Sequence, residues 1–409
     1  MSYSAAGTHV KRPGDDIEAL TTCNYLRLFG PNSYNRPAPT PFSYPPQSFT
    51  SSALSTSSPS DPTLTYLSSA DFEAYLISHL EALVNEDQSQ TALHLRWIGN
   101  VQSMIHRRLI QGATPQEAEV LHGDWLEISL LRTALTQSSN AYTILRNATP
   151  TFLQHAYSLP NLWSVESDGT SIPLTNVISS KHSVLSSFSL IDCICAMVFG
   201  LPQQIEYDTS IGILPAGLSP YEWVHGTPTE FHILLAEINA CRDKSPRVRD
   251  WREIEHTLVH SESRIARNDD WESWMSVAWL AVQESWRLAL LAYLYLAVCR
   301  LPSDDVRIQR CVTQILQVVG TVRKQKAAKI SVPFLIQYLI VGICAQSEKK
   351  RDIIRNRLSD AVETKLWMMR GSDFIPVLDH LWHGAGANGH PITWDDYIRS
   401  RETVLPVLT

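Results

Sequence analysis

Closely spaced cysteines are missing from this sequence. Its 409 residues include seven cysteines but no Cys-x-x-Cys pair, and Cys23 is the only cysteine before Cys193. Zinc fingers and zinc clusters need several thiolates within a short loop, so these residues predict no such module. Cys193 and Cys195 lie in an apolar stretch, where a helix turns them to different faces, and we predict that both are core residues. An odd number of cysteines in apolar stretches indicates a reducing compartment.

Long apolar runs without a charge are also missing. The longest one in the most apolar stretch, residues 288–299, is too short to cross a bilayer, and the N-terminus has no apolar segment of the signal-peptide type. We therefore expect neither a transmembrane segment nor a signal peptide. The net charge of −7 disfavours a protein whose main role is to coat nucleic acid. With 44% hydrophobic and 18% charged residues, the composition is typical of a globular protein.

Catalytic signatures are absent as well, because the sequence has no Gly-x-Ser-x-Gly, no phosphate-binding loop and no dinucleotide fingerprint. Two groups of histidines are candidate metal ligands. His256 and His260, beside Glu255, are four residues apart and share a helical face, but no third ligand is evident, which favours a solvated face. The second group lies near a glycine-rich turn, and we interpret it as loop histidines: His380, His383 and His390.

Paired acidic residues are the remaining candidates for chemistry. All-α enzymes that act on isoprenoid diphosphates hold magnesium with carboxylates on adjoining helical turns. Both candidate pairs begin a predicted helix, where acids stabilise the helix dipole. After Asp395 and Asp396, Arg399 stands where a further acid is needed. We therefore predict no catalytic, cofactor-binding or metal-binding residue, and keep a magnesium-dependent enzyme as the alternative. Its candidate ligands are Asp269, Asp270 and Glu272, and the pair Asp395 and Asp396.

Two basic clusters lie at the ends of predicted helices. They are residues 323–326 with Lys329, and residues 349–351. A solvated helix end is the favoured interpretation, and a nuclear import signal or a contact with an anionic partner is the alternative.

The N-terminal part differs in composition from the rest. Residues 31–62 are dense in Pro, Ser and Thr, and Arg36 is the only charged residue between Pro31 and Ser60. Such a segment cannot bury enough apolar surface to offset the entropy lost on ordering, so we predict disorder. One short helix over residues 16–29 is predicted before it. The predicted organisation is a mostly disordered segment, residues 1–66, followed by a helical domain, residues 67–409.

Helical periodicity fills the rest of the chain. Residues 270–301 contain no Pro or Gly, and their apolar side chains surround the helix, which indicates a buried core helix. Thr114 and Thr393 are predicted N-caps, and Gly200 is a predicted helix stop. We find no convincing strand pair and no repeat. Further helices are predicted over residues 69–83, 91–111, 114–138, 181–199, 227–241, 248–265, 305–323, 331–345, 349–369, 372–382 and 393–401.

The predicted fold is therefore all-α. We expect a large multi-helix domain of antiparallel helix pairs, superhelical or bundle-like in arrangement, preceded by the disordered N-terminal segment. The tryptophans of this domain are predicted to lie in its core: Trp271, Trp274, Trp279, Trp286, Trp367 and Trp382.

Five segments, read in order, resemble the fungal-specific transcription factor domain. Each is a helix boundary or a helix with recurring landmark residues, and their order and spacing carry the resemblance. The segments are residues 185–207, 221–241, 283–301, 332–358 and 374–394. Their landmarks are Asp192, Gly200 and Pro202; Gly226, Pro228, Ile238 and Asn239; Trp286 and Arg287; Gly342, Ala345, Arg351 and Ile354; and Leu381, Trp382, Gly389, Pro391 and Trp394.

This resemblance covers roughly residues 70–400 and implies a nuclear transcription regulator whose helical domain binds partners and performs no chemistry. The family usually carries an N-terminal binuclear zinc cluster of six cysteines, which has no counterpart in this sequence. We therefore expect protein partners, a homodimer or a small-molecule effector, but no membrane contact and no specific DNA binding by this chain alone. Zinc is expected only if an upstream cluster belongs to the same protein. A helical scaffold without a role in transcription stays open as a further alternative.

Overall fold

A computed structural model of the protein describes residues 91–163, 169–210, 222, 225–263, 273–323, 334–360 and 369–407. The predicted disordered segment, the helix over residues 69–83, Asp269, Asp270, Glu272 and the basic residues 324–329 lie outside the described residues. Contacts divide the chain between His94 and Leu95, within the first helix, and the larger unit contains the described residues from Leu95 onward.

Three long helices come first: α1 (Thr91–Ile110), α2 (Pro115–Leu135) and α3 (Ser138–Tyr157). The predicted cap at Thr114 is confirmed. Its side chain accepts a hydrogen bond from the amide of Glu117, whose carboxylate accepts one from the Thr114 amide at 3.0 Å. This reciprocal capping box, followed by a proline in the first turn, fixes where α2 begins.

A short connection leads to the most buried helix. It contains a 3-10 turn (Pro160–Leu162), strand β1 (Ile172–Pro173) and α4 (Leu174–Ser179), and α5 (Ser183–Phe199) follows. After α5, strand β2 (Tyr207–Asp208) pairs with β1 in parallel. The expectation of no strand pair was therefore wrong, because two strands of two residues are too short to show any alternation.

Helices α6 (Thr229–Arg242), α7 (Trp251–His260) and α8 (Ser273–Tyr293) form the middle of the domain, and α8 runs into a π-helical turn (Leu294–Val298). The predicted central helix is confirmed, since α8 packs against α6, α7, α9 and α10. Trp279 and Trp286 are buried in it. Trp271 lies outside the described residues, and α7 is shorter than the predicted span 248–265.

The last part contains α9 (Val306–Arg323), α10 (Leu335–Ile343), α11 (Glu348–Leu358), α12 (Ile375–His383) and α13 (Trp394–Val404), with 3-10 turns at Gly371–Phe374 and Ala387–Gly389. The prediction that one helix spans 349–369 was wrong, because α11 ends at Leu358; Trp367 lies outside the described residues. Thr393 caps α13 with a second capping box, as predicted.

The described residues are thus predominantly helical, and one continuous cluster of buried apolar side chains extends from α2 to α13. The all-α prediction is confirmed, whereas the antiparallel arrangement of neighbouring helices stays a prediction. Within the described part of the chain, no helix combines the length and the apolar character that crossing a bilayer requires.

Candidate functional site

The two cysteines of α5 are core residues. Cys193 and Cys195 are fully buried, and burial raises the pKa of both thiols well above the ordinary value. A thiol with a raised pKa is protonated near neutral pH and is a poor nucleophile and metal ligand. The core interpretation of these residues is confirmed.

The histidine pair on α7 lies on an exposed face. The rings of His256 and His260 stack with centroids 4.0 Å apart, and Nδ1 of His260 donates to the carbonyl of His256 at 2.9 Å. Glu255 accepts a hydrogen bond from the hydroxyl of Tyr295 at 2.6 Å. In the part of the chain that the structure describes, no three or more His, Cys, Asp and Glu side chains are grouped so that they could hold a metal ion.

The loop interpretation was wrong for His380 and His383, which lie in the last turn of α12, whereas His390 lies outside the helices. The second acidic pair lies in the first turn of α13, as predicted. His380 lies 3.1 Å from the hydroxyl of Ser400, and His383 and His390 are exposed. Asp396 closes the capping box of α13; burial raises its pKa, but hydrogen bonds from Thr393 and Arg399 lower it overall. Asp395 is exposed and pairs with Arg300. These carboxylates lie at a helix start on the surface, so they give no support to a magnesium-dependent enzyme.

The described residues do bring polar groups together at the end of α5, which we call the α5 junction: Arg242, Asn239, Tyr293, Tyr397 and the carbonyls of Cys193, Ala196, Val198 and Leu201. The helix ends in a left-handed glycine, Gly200, whose φ is 63°. The amides of residues 200 and 201 turn back onto Met197 and Ala196. Carbonyls near this helix end can still accept from side-chain donors, because a carbonyl oxygen has two lone pairs.

Arg242, at the end of α6, supplies those donors. Its guanidinium donates to the carbonyls of Ala196 at 2.7 Å and Leu201 at 2.6 Å, and to the Tyr293 hydroxyl at 2.9 Å. It also pairs with Asp243 at 2.8 Å. Burial alone lowers the pKa of Arg242, but Tyr293 and Asp243 raise it overall, so the group stays charged. A cation at a helix C-terminus also opposes the negative end of the helix dipole.

Asn239 and Tyr293 complete the α5 junction from α6 and α8. The amide of Asn239 donates to the carbonyl of Cys193 at 2.9 Å and to Gln203 at 3.0 Å, and accepts from Tyr293 at 2.7 Å. Burial raises the pKa of Tyr293 to about 12, so it is a neutral donor. From α13, Tyr397 donates to the carbonyl of Val198 at 2.6 Å. The junction therefore connects four helices through groups whose hydrogen bonds are satisfied.

Asp192 holds the chain that leaves α5. Its buried carboxylate accepts from the amides of Gln204 at 2.8 Å and Ile205 at 3.2 Å, and from the Tyr207 hydroxyl at 3.0 Å. Burial raises its pKa to about 7, although these three hydrogen bonds act in the opposite direction. Asp192 thereby places the segment that leads into β2.

A second cluster of contacts joins α10, α11 and α12, and we call it the arginine–tryptophan cluster: Arg351, Arg355, Trp382 and Gly342. The indole of Trp382 donates to the carbonyl of Gly342 at 2.9 Å, and the Arg355 guanidinium lies 4.9 Å from the centre of its ring. Arg351 is buried and donates to the carbonyls of Ala345 at 3.1 Å and Gly386 at 2.7 Å. Cation–π contacts and charge-assisted hydrogen bonds of this kind fix helix packing.

The sequence showed some of these residues and not others. Asp192, Asn239, Gly342, Arg351 and Trp382 are landmarks of the resemblance. Arg242 and Tyr293 were missed, because their partners other than Asp243 are 41 to 54 residues away in the chain. The available signal was an arginine directly after the predicted helix over residues 227–241, where a cation is stabilised.

Comparisons with known proteins find one family. The fungal specific transcription factor domain matches residues 129–406. No curated protein and no solved structure matches significantly. The matched residues run from the middle of α2 to beyond the end of α13, so they contain both the α5 junction and the arginine–tryptophan cluster.

Proposed function

The chain belongs to the fungal specific transcription factor domain family, and we propose that it regulates transcription through a helical interaction domain that performs no chemistry. One observation carries the proposal. The family's matched residues coincide with the helices whose ends are fixed by the α5 junction and the arginine–tryptophan cluster. The family is a regulatory one, and its landmarks in this chain serve packing.

The chemistry of the α5 junction supports a role without catalysis. Arg242, Asn239 and Tyr293 donate to carbonyls or to one another. A catalytic set requires a nucleophile, a base and a place for substrate within reach of both. The polar groups of the α5 junction instead form closed contacts between helices.

For DNA, we propose that this chain has little sequence-specific affinity of its own. The six closely spaced cysteines of a binuclear zinc cluster have no counterpart in residues 1–409, and the net charge is −7. Specific DNA affinity needs base contacts supported by many cationic contacts to phosphate. A gel shift with the 409-residue chain and a pool of random duplexes, with and without zinc, tests this. Retention of a defined sequence at nanomolar protein would contradict it.

Protein partners in the nucleus follow from the same proposal. A regulatory domain that has no DNA-binding module within residues 1–409 reaches promoters by binding a DNA-bound protein. A homologous chain, as the partner in a dimer, is one such protein. A small-molecule effector is a further part of the proposal, and thermal-shift measurements with metabolites test it. Zinc supplied by an upstream cluster is another part, and metal analysis of protein purified from its own cell tests it.

The direct test is recruitment. The full chain is fused to the DNA-binding module of an unrelated protein and placed above a reporter gene. We expect reporter transcription to rise or fall relative to the module alone. Unchanged transcription in cells that contain the folded fusion would contradict the proposal.

A further inference from the structure

Three histidines meet where α2, α3 and the start of α5 come together, and we call them the histidine joint: His122, His155 and His182. His155 is 2% exposed, and its ring meets that of His182 edge to face with centroids 5.4 Å apart. Nε2 of His155 lies against the backbone of Gly123 on α2, 3.9 Å from where a Cβ would stand. None of the three belongs to the α5 junction or to the arginine–tryptophan cluster.

The hydrogen bonding of this joint is incomplete. Among the described residues, neither Nδ1 of His122 nor Nδ1 of His155 has a hydrogen-bond partner, although both atoms are buried. A neutral imidazole tolerates this arrangement better than a cation does, because a buried charge needs close partners. The charged side chains that act on the joint are Glu119 on α2, which favours protonation of His182, and Lys181, which opposes it.

We propose that the histidine joint is an acid-sensitive contact, closed while its imidazoles are neutral and opened when they take up protons. Two imidazolium rings meeting edge to face repel each other, and Glu119 faces only one of them. Opening separates the ends of α2 and α3 from the start of α5. This regulation is independent of the proposed role in transcription and is tested separately from it.

The direction of the pH dependence follows from the number of protons that the closed and open states bind. Burial, together with the neighbouring His182 and His122, lowers the pKa of His155 to about 4. Burial also lowers the pKa of His122 and of His182. The closed state therefore binds fewer protons than the open state between about pH 6.5 and about pH 4. The closed contact is fully stable above this window and loses stability as the pH falls through it.

Hydrogen exchange of the full chain tests the proposal locally. Between about pH 7 and about pH 5, after correction for intrinsic exchange, we expect peptides from α2, α3 and the start of α5 to lose protection roughly tenfold more than peptides from α10 and α11. His182→Gln removes the half-exposed ring and is expected to reduce this local loss. His260→Gln is the matched control, because it removes one ring of the exposed pair on α7 and is expected to change nothing.

A histidine titration by NMR checks the same point without a variant at the buried position. We expect the imidazole of His155 to remain neutral to below about pH 5. Its titration should shift to higher pH in His182→Gln, because this variant removes the neighbouring ring. Equal loss of protection throughout the molecule, or an unchanged local loss in His182→Gln, would overturn the proposal.

Discussion

Arg242 connects three helices although it is charged and its side chain is only 5% exposed. It reaches the end of α5 and Tyr293 on α8 from the last turn of α6. Removing such a group leaves carbonyls and a hydroxyl buried without donors. A single side chain therefore holds α5, α6 and α8 together. Single substitutions can distinguish such structural contacts from contacts on the surface.

Substitution of Arg242 tests the α5 junction. Arg242→Met keeps the length of the side chain and removes its donors, and we expect the free energy of unfolding to fall by about 3 kcal/mol, measured by urea denaturation. Arg252→Met is the matched control on α7, where the side chain is 69% exposed, and we expect a change within about 0.5 kcal/mol. Equal effects of the two variants would show that the junction contributes no stability.

The pH dependence of stability tests Asp192. An unfolded chain releases this proton near pH 4, whereas burial raises the pKa of the folded carboxyl to about 7. Stability from this group is therefore lost as the pH rises from about 4 to about 7, with a slope of at most about 1.4 kcal/mol per pH unit.

Asp192→Asn removes that titration. The stability of the wild-type protein relative to the variant should fall steadily across this window, measured by urea unfolding at several pH values. The buried histidines titrate in both proteins and cancel in the comparison. A difference that does not vary with pH would contradict the raised pKa.

At this scale the sequence predicted residue types better than partners. Asp192 and Asn239 stood out because they are landmarks of the family resemblance. What each contacts depends on the packing of elements that lie far apart in the chain. Tyr293 and Arg242 had no local mark that distinguished them from other aromatic and basic residues, so only the fold shows that they meet.

At the scale of elements, helix ends were predictable and helix contacts were not. Capping boxes are local patterns, so Thr114 and Thr393 were correct from sequence alone. The parallel pair of β1 and β2 forms because the segments that flank α5 are held side by side, which no local pattern reveals. The span of α7 was overestimated, because Asp250 caps the helix at its start and the described residues 261–263 are not helical.

Gly200 ends α5 and lies against α13, and its substitution tests whether this contact matters for stability. A Cβ there would clash with Ile398 on α13, and its φ of 63° strains any other residue. We expect Gly200→Ala to lower the free energy of unfolding by about 3 kcal/mol. Gly169→Ala is the matched control: its φ is 72° and nothing lies within 4 Å, so only about 1 kcal/mol of backbone strain is expected.

A double-mutant cycle separates strain from contact. Gly200→Ala should cost less in a background that carries Ile398→Ala, with a coupling of about 1 kcal/mol or more, measured by urea unfolding. Additive effects would mean that α13 does not press on the end of α5.

At the scale of the whole molecule, the structural unit and the family match have different limits. The match begins at residue 129, within α2, yet Trp97 and Ile98 on α1 are buried, and Gln102 donates to Ser129 at 3.2 Å. The packed domain therefore includes residues before the family's match. The predicted domain start at residue 67 stays a prediction, because it falls among residues that are not described.

The central claim is that the folded helical domain acts in transcription by binding partners. The most direct measurement is reporter transcription by the full chain fused to an unrelated DNA-binding module, compared among wild type, Arg242→Met and Arg252→Met. We predict that the wild-type and Arg252→Met fusions change transcription equally and that Arg242→Met loses most of the effect at equal protein level. Reporter activity equal to that of the module alone for all three fusions, with the wild-type domain folded, would contradict the account.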